Sequence, residues 1–219
     1  MTDRIECSAV IFDFDGTLAD SMPFLEGIGV DIMMKYFGVS EDDARQRYQS
    51  TTGLPYEQQI KMNFPNNPRN EEAIDKFESL KIDRIFEQEL FPDTVDTLKK
   101  LDEMGIDIYV SSSTFQSTIK EYFDRRNLTH YFEEILGYRP GFEKGADHFN
   151  YVASKHNQPM KYTIFVGDSL KDYERSQGFC HFIGIVGMFS ANEFRKRGHK
   201  GYLVDSLKQI PPLLQPKNT

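Results

Sequence analysis

The stretch AVIFDFDGTLADS, residues 9–21, indicates the fold class of the whole chain. Its first residues are small or apolar, which is typical of a strand buried on both faces of a parallel sheet. Two carboxylates, Asp13 and Asp15, follow directly, and then Gly16, which permits a sharp bend. Parallel α/β sheets bind ligands beyond the carboxyl ends of their strands. Two acids at such an end therefore predict a ligand site there.

Further short apolar runs follow along the chain, and helical patterns separate most of them. Alternation of strands and helices predicts an α/β protein whose parallel sheet is covered on both faces. The predicted strands are SAVIFDF at 8–14, DIYVSSS at 107–113, EEILG at 133–137, YTIFVGD at 162–168 and HFIGIVG at 181–187.

The interval between the first strand and a helix expected from residue 93 contains no convincing strand. A long all-helical insert predicts a separate lid at 18–90, with 1–17 and 91–219 forming the core. The tail PPLLQPKNT, 211–219, is expected to be frayed. Helices of the insert are expected near 23–37, 41–50, 55–62 and 70–89.

Charge and cysteine content exclude several classes of function. The chain has 26 basic and 34 acidic residues, a net charge of −8, which argues against nonspecific binding to nucleic acid or anionic membranes. No apolar run approaches the roughly 20 residues of a membrane span. Cys7 and Cys180 form no CxxC pair, and the N-terminus lacks the apolar segment of a signal peptide. We therefore expect a cytoplasmic protein, and a chain with a moving lid is expected to be a monomer or weak dimer.

A second pair of acids follows another predicted strand. The segment GDSLKD, 167–172, places Asp168 and Asp172 at the same edge of the sheet as Asp13 and Asp15. Four carboxylates at neighbouring strand ends would repel each other strongly without a cation. Oxygen ligands of this kind suit Mg²⁺. The pattern therefore predicts that these four acids form a Mg²⁺ site.

The same residues predict phosphoryl chemistry. A carboxylate such as Asp13 can attack phosphorus and form an aspartyl-phosphate. The second carboxyl group, Asp15, can protonate the leaving oxygen and then deprotonate the incoming water. A transferring phosphoryl group also needs hydrogen-bond donors and positive charge. Ser111 at the tip of the second strand and Lys144 in GFEKGAD are candidates for these roles.

At this point the sequence resembles the haloacid dehalogenase superfamily of hydrolases over nearly its whole length. The resemblance implies a Rossmann-like core with a helical subclass I cap, Asp13 as nucleophile and Asp15 as acid/base. It also implies phosphate binding by Ser111, Ser112 and Lys144. The segments that carry it are DFDGT at 13–17, VSSS at 110–113, EKGADHF at 143–149 and GDSLKD at 167–172.

Single positions separate the branches of that superfamily. The acid at Asp15 favours phosphoryl transfer over dehalogenation, and the absence of a histidine before His130 argues against a mutase. The cap segment STTGLPYEQQ, 50–59, resembles the substrate-selecting loop of phosphoglycolate phosphatase-like relatives. The resemblance there implies substrate contacts by Gly53, Leu54 and Tyr56.

The leading hypothesis is a Mg²⁺-dependent phosphatase that acts on a small phosphorylated metabolite. A phosphotransferase or mutase, a phosphonate hydrolase and a noncatalytic binding protein with the same fold stay open as alternatives. A phosphonate hydrolase would need a Schiff-base lysine, and the sequence singles out none of the cap lysines. Those lysines are Lys35, Lys61, Lys76 and Lys81. His148 and His156 are expected to be surface or packing residues.

Overall fold

A computed structural model describes residues 4–217 of the chain. Within them, six strands form one parallel sheet in the order β4-β3-β2-β5-β6-β7, and β1 pairs with β8. The strands are β1 (Ile5–Cys7), β2 (Ala9–Phe12), β3 (Asp107–Phe115), β4 (Glu134–Tyr138), β5 (Thr163–Gly167), β6 (His181–Ile185), β7 (Leu203–Val204) and β8 (Leu214–Pro216).

The chain also forms α-helices and several short 3₁₀ helices. The α-helices are α1 (Met22–Phe37), α2 (Glu41–Ser50), α3 (Tyr56–Asn63), α4 (Asn70–Arg84), α5 (Thr94–Glu103), α6 (Gln116–Asp124), α7 (Ala146–Lys155), α8 (Leu170–Ser176) and α9 (Ala191–Lys196). The 3₁₀ helices are Ile85–Glu87, Thr129–Tyr131, Met160–Tyr162, Leu207–Gln209 and Pro211–Leu213. No helix within residues 4–217 combines the length and the apolar character that crossing a membrane requires.

Strand β2 lies between β3 and β5, and this order positions the candidate site. Phe12, the last residue of β2, is in register with Val110 of β3 and with Val166 of β5. The carboxyl ends of three neighbouring parallel strands therefore meet where the strand order reverses direction, which is the usual ligand position in such sheets. The expected Rossmann-like parallel sheet with an inserted helical segment is confirmed.

Aromatic residues fill the interface between this sheet and α7. Ile11, Tyr109 and Phe165 project from three adjacent strands into one buried cluster, which includes Phe149 of α7. The rings of Phe149 and Phe165 meet edge to face, with centroids 5.2 Å apart. Packing of this kind fixes the helix on the sheet, and with it the residues that precede the helix.

The chain divides into two compact units. One contains the chain up to Ala19 and the chain from Leu90 onward, and the other is Asp20–Glu89. The boundaries expected from the sequence, 17/18 and 90/91, lie within two residues of this division. The second unit is all-helical, and α1 to α4 enclose their own apolar core, which includes Leu25, Met33, Tyr48, Ile60 and Phe77.

The expectation of a frayed tail is wrong for the part of it that the structure describes. Leu214–Pro216 forms β8, which pairs in parallel with Ile5–Cys7. Leu214 is buried, and the backbone N–H of Lys217 donates to the carbonyl of Cys7 at 2.8 Å. Strands of two or three residues carry no readable alternation, so β1, β7 and β8 were not predicted. Residues 218 and 219 of the predicted tail lie outside the described residues.

Candidate active site

Asp13 and Asp168 lie at the carboxyl ends of two neighbouring strands. Asp13 directly follows β2, and Asp168 directly follows β5. The backbone N–H of Asp13 donates to the carbonyl of Val166 at 2.9 Å, so the backbone hydrogen bonds between β2 and β5 continue as far as Asp13. Both side chains are buried. Thr17 Oγ1 lies 3.5 Å from Asp168 Oδ1 and donates to it.

Asp172 is held by the first turn of α8. The helix begins with a capping box in which Ser169 Oγ accepts from the backbone N–H of Asp172 and donates to Asp172 Oδ2 at 2.7 Å. Gly167 makes room for this carboxylate, because a Cβ at position 167 would lie 2.7 Å from Asp172 Oδ2. The side chain is fully buried at the helix N-terminus, where a negative charge is favoured.

These three acids form one compact group. Among residues 4–217, Asp13, Asp168 and Asp172 offer carboxylate oxygens that all lie within 4.8 Å of one another. The structure thus brings together three of the four acids predicted to bind the metal. Asp15, the fourth, does not belong to this group, and its side chain contacts Thr114 instead. Its predicted role as a metal ligand stays a prediction.

Lys144 lies between two of the acids. Its Nζ is 2.8 Å from Asp13 Oδ1 and 2.5 Å from Asp172 Oδ1, and only 4% of its side chain is exposed. Arg175 of α8 adds a second cation, with a guanidinium nitrogen 3.8 Å from Asp172 Oδ1. Lys144 therefore lies directly beside the carboxylates. Its contact with phosphate stays a prediction.

Burial and charge shift the pKa values of these groups in different directions. Burial raises the pKa of Asp13 to about 7, with Lys144 opposing the shift and Asp172 adding to it. Burial, Asp13 and Asp172 together raise the pKa of Asp168 well above its usual value. Burial also opposes ionisation of Asp172, yet Lys144 and Arg175 outweigh it and lower the pKa of that carboxyl. Burial disfavours the charge on Lys144, but Asp13 and Asp172 more than offset it and raise the pKa of the amine.

The resulting charge balance fits a divalent cation. Lys144 and Arg175 favour the ionised form of Asp172, whereas burial and the neighbouring acids disfavour ionisation of Asp13 and Asp168, which further positive charge would favour. The donors that converge here are carboxylate oxygens alone, which is the donor set that Mg²⁺ prefers. The donor chemistry of the residues is therefore compatible with the predicted ion.

The chain turns sharply after Asp13, as the sequence predicts. Gly16 has a φ of 80°, which an L side chain rarely adopts, and the backbone N–H groups of Leu18 and Ala19 both donate to the carbonyl of Phe14. Asp15 lies within this turn and is half-buried. Asp15 Oδ2 accepts a hydrogen bond from Thr114 Oγ1 at 2.6 Å. The sequence interpretation did not identify Thr114.

The two serines at the tip of β3 have different environments. Ser111 Oγ is 2.8 Å from Nδ1 of His148, and both residues are fully buried. Ser112 Oγ accepts from the backbone N–H of Thr114 at 3.0 Å, which leaves its hydroxyl proton available to another acceptor. Adjacent residues of a strand point to opposite faces, so the two hydroxyls are directed differently. The predicted contact of each with phosphate stays a prediction.

His148 has a partner that its position in the sequence did not suggest. It lies on α7, one turn after Lys144, and burial together with the nearby Lys144 charge lowers its pKa to about 3. The imidazole is therefore neutral beside Ser111. A surface or packing role was expected; the residue is buried, and the ring of Phe142 contacts it, with centroids 4.6 Å apart. The hydrogen bond to Ser111 was missed because nothing local links positions 111 and 148.

The cap residues predicted to contact substrate lie between α2 and α3 and at the start of α3. Gly53 has a φ of 92°, which a glycine accommodates without strain. Tyr56 is buried within the second unit, where its hydroxyl donates to the carbonyl of Gly29 at 3.2 Å and its ring stacks on Phe77. Packing accounts for the position of Tyr56. Substrate contacts by Gly53, Leu54 and Tyr56 stay predictions.

Comparisons with known proteins agree with this geometry. A model of the family described as haloacid dehalogenase-like hydrolase matches residues 10–180. The phosphoglycolate phosphatase of Aliivibrio fischeri is 25% identical over 217 residues, which cover 94% of this chain and 95% of that protein. The phosphoglycolate phosphatase of Synechococcus elongatus is 26% identical over 179 residues, 77% of this chain and 78% of its own length.

Solved structures show the same fold. A haloacid dehalogenase-like family hydrolase from Streptococcus pneumoniae superposes with a TM-score of 0.80 at 22% identity, covering 95% of this chain and 99% of that one. CbbY from Rhodobacter sphaeroides, solved in complex with phosphate, gives a TM-score of 0.73 at 17% identity and covers 93% of this chain and 96% of that one. At these identities the likeness concerns the fold.

Proposed function

Because this chain belongs to the haloacid dehalogenase-like hydrolase family, we propose that it is a Mg²⁺-dependent phosphatase. It hydrolyses a small phosphomonoester through an aspartyl-phosphate on Asp13. One observation supports the proposal above all others: the buried carboxylate of Asp13 lies 2.8 Å from a buried ammonium and within 4.8 Å of two further acids. A surface acid or a helix cap has no need of such surroundings.

The nucleophile is oriented by its neighbours. Asp13 Oδ1 lies 2.8 Å from Lys144 Nζ and accepts the backbone N–H of Phe14 at 2.7 Å. Two donors on one oxygen fix the plane of the carboxylate, so we place the attack on phosphorus at Oδ2. A bound Mg²⁺, held by Asp13, Asp168 and Asp172, would supply positive charge to the transferring phosphoryl group.

In the first step, Asp13 Oδ2 forms a bond to phosphorus, the ester P–O bond breaks, and the leaving oxygen takes a proton from Asp15. In the second step, water attacks the phosphorus of the aspartyl-phosphate and gives a proton back to Asp15. The bond between phosphorus and Oδ2 breaks, which releases inorganic phosphate and restores both carboxyl groups. Lys144 stays beside Asp13 throughout and favours negative charge there.

We assign the phosphate-binding hydroxyl to Ser112, and we assign Ser111 no direct contact with the phosphate. The Ser111 hydroxyl already pairs with His148, whereas Ser112 accepts from the N–H of Thr114 and can donate its own proton to a phosphoryl oxygen. The sequence interpretation gave the phosphate contact chiefly to Ser111. The assignment to Ser112 rests on these different hydrogen-bond partners.

A small phosphorylated metabolite is the proposed substrate class. 2-Phosphoglycolate is the first candidate, because curated relatives that cover most of this chain are phosphoglycolate phosphatases. The net charge of −8 disfavours a nucleic-acid or anionic-membrane partner. Cys7 and Cys180 are free thiols, which supports a reducing compartment such as the cytoplasm.

The proposal is tested with a panel of phosphate monoesters that includes 2-phosphoglycolate, assayed for released phosphate with Mg²⁺ and with a chelator. Asp13→Asn should lower turnover of every good substrate by at least about 10³-fold while leaving the fold intact. The matched control is Asp102→Asn, which removes an exposed carboxylate on α5 and should leave turnover unchanged. Normal turnover by the Asp13→Asn variant would refute the nucleophile assignment.

A further inference from the structure

A hydrogen bond joins two side chains that are 99 residues apart in the sequence. Thr114 Oγ1 donates to Asp15 Oδ2 at 2.6 Å, near the short end of the range for such bonds. Thr114 is 3% exposed, so this bond is sheltered from water on the threonine side. The threonine hydroxyl is the donor in this bond, so its proton is directed at Asp15.

Two features of the backbone around Thr114 restrict the position of this hydroxyl. The register between β3 and β4 shifts between Ser111 and Phe115, so the strand is irregular where Thr114 lies. The backbone N–H of Thr114 donates to Ser112 Oγ at 3.0 Å. One residue therefore links the serine that we assign to phosphate with the carboxyl group that we assign to proton transfer.

We propose that Thr114 is a positioning residue that orients Asp15 for proton transfer to the leaving group and from water. The proposal rests on the proposed function. A carboxyl group held through one oxygen presents its other oxygen in a fixed direction. Without the threonine hydroxyl, Asp15 would lose the bond that fixes the position of Oδ2, and the carboxyl group would reach the ester oxygen less often.

The substitution Thr114→Val removes the hydroxyl and keeps the shape. An ester with an alkyl leaving group needs a proton as its P–O bond breaks, whereas p-nitrophenyl phosphate releases an anion that is stable without one. We expect kcat/KM to fall by about 10²-fold for the alkyl ester, the lower end of what general acid catalysis contributes, and far less for p-nitrophenyl phosphate.

Three controls separate positioning from a general loss of structure. Thr114→Ser restores the hydroxyl and should recover most of the activity toward the alkyl ester. Thr118→Val makes the same substitution at another buried threonine, on α6, and should leave the ratio of the two esters unchanged. Combined with Asp15→Asn, the Thr114→Val substitution should have almost no added effect, because both remove the same proton transfer.

Each outcome decides between the hypotheses. An equal loss of kcat/KM for both esters in Thr114→Val, or no loss for either, would overturn the role of Thr114. If Asp15→Asn selectively impairs the alkyl ester and Thr114→Val does not, the phosphatase proposal stands and the positioning proposal fails. If the wild-type chain hydrolyses no phosphate monoester of the panel, the proposed function itself fails.

Discussion

Lys144 shows how a residue that the sequence leaves ambiguous acquires a role in the fold. A single lysine before a helix is most often a solvated surface residue, yet this one is buried between two carboxylates. Its ammonium offsets part of the negative charge that β2, β5 and α8 bring together. The position of the lysine depends on the packing of α7 against the sheet, and that packing is not visible in the local sequence.

Replacing this lysine should destabilise the protein and inactivate it. Lys144→Met leaves Asp13 buried without its cation and Asp172 with Arg175 alone, and we expect the free energy of unfolding to fall by about 3–5 kcal/mol at neutral pH. Lys144 lowers the pKa of both carboxyls, so the loss should shrink at acid pH, where they take up protons.

Urea denaturation of the Lys144→Met variant at several pH values measures this loss. Lys99→Met is the matched control, because Lys99 is 64% exposed on its side chain and lies 3.9 Å from an exposed glutamate. A loss that is as large in Lys99→Met, or that does not depend on pH, would contradict the assignment of Lys144 to the carboxylate cluster.

Helix α8 illustrates what a short element contributes. Its seven residues are too few to be stable alone, but the capping box at Ser169 fixes the first turn and thereby the direction of Asp172. The sequence predicts this acid at the edge of the sheet, since GDSLKD follows an apolar strand. The close approach of β5 to the helix, which Gly167 permits, was not predicted.

A methyl group at Gly167 should disturb the site more than the fold. Gly167→Ala places a Cβ 2.7 Å from Asp172 Oδ2, so the acid or the helix must move. We expect the free energy of unfolding to fall by about 1–3 kcal/mol, and kcat to fall more steeply, because the carboxylate is displaced. Gly187→Ala is the control, since a Cβ there meets no atom within 4 Å. Phosphatase assays and thermal unfolding of both variants check this, and equal behaviour of the two would contradict it.

For the molecule as a whole, the carboxylates buried at the edge of the sheet govern how the stability of the fold depends on pH. Asp13 and Asp168 have raised pKa values, so the folded protein retains protons that the unfolded chain releases. In the absence of a metal, their contribution to stability is fully present below about pH 4, the unfolded value, and is lost as the pH rises through about 7, the folded value of Asp13. A bound cation would reverse this loss by favouring the ionised carboxylates.

Mg²⁺ should therefore raise the melting temperature more at about pH 8 than at about pH 5, because protons compete with the ion for the same oxygens. Thermal unfolding of chelator-treated protein, with and without saturating Mg²⁺ at constant ionic strength, measures the difference. Asp168→Asn should reduce both the Mg²⁺ effect and its pH dependence. A Mg²⁺ shift that is the same at both pH values would contradict the assignment of these acids to the metal.

The sequence by itself determined the fold class, the helical insert and the strand ends at which Asp13 and Asp168 lie. Apolar runs that end in acids are local patterns, and parallel strands bring such ends to one edge of a sheet. The tertiary structure alone decided that Thr114 meets Asp15, that Ser111 pairs with His148, and which acids surround Lys144. These contacts depend on strand register and on the rotamers of buried side chains. Both are set by packing between segments that are distant in the sequence, so no local pattern records them.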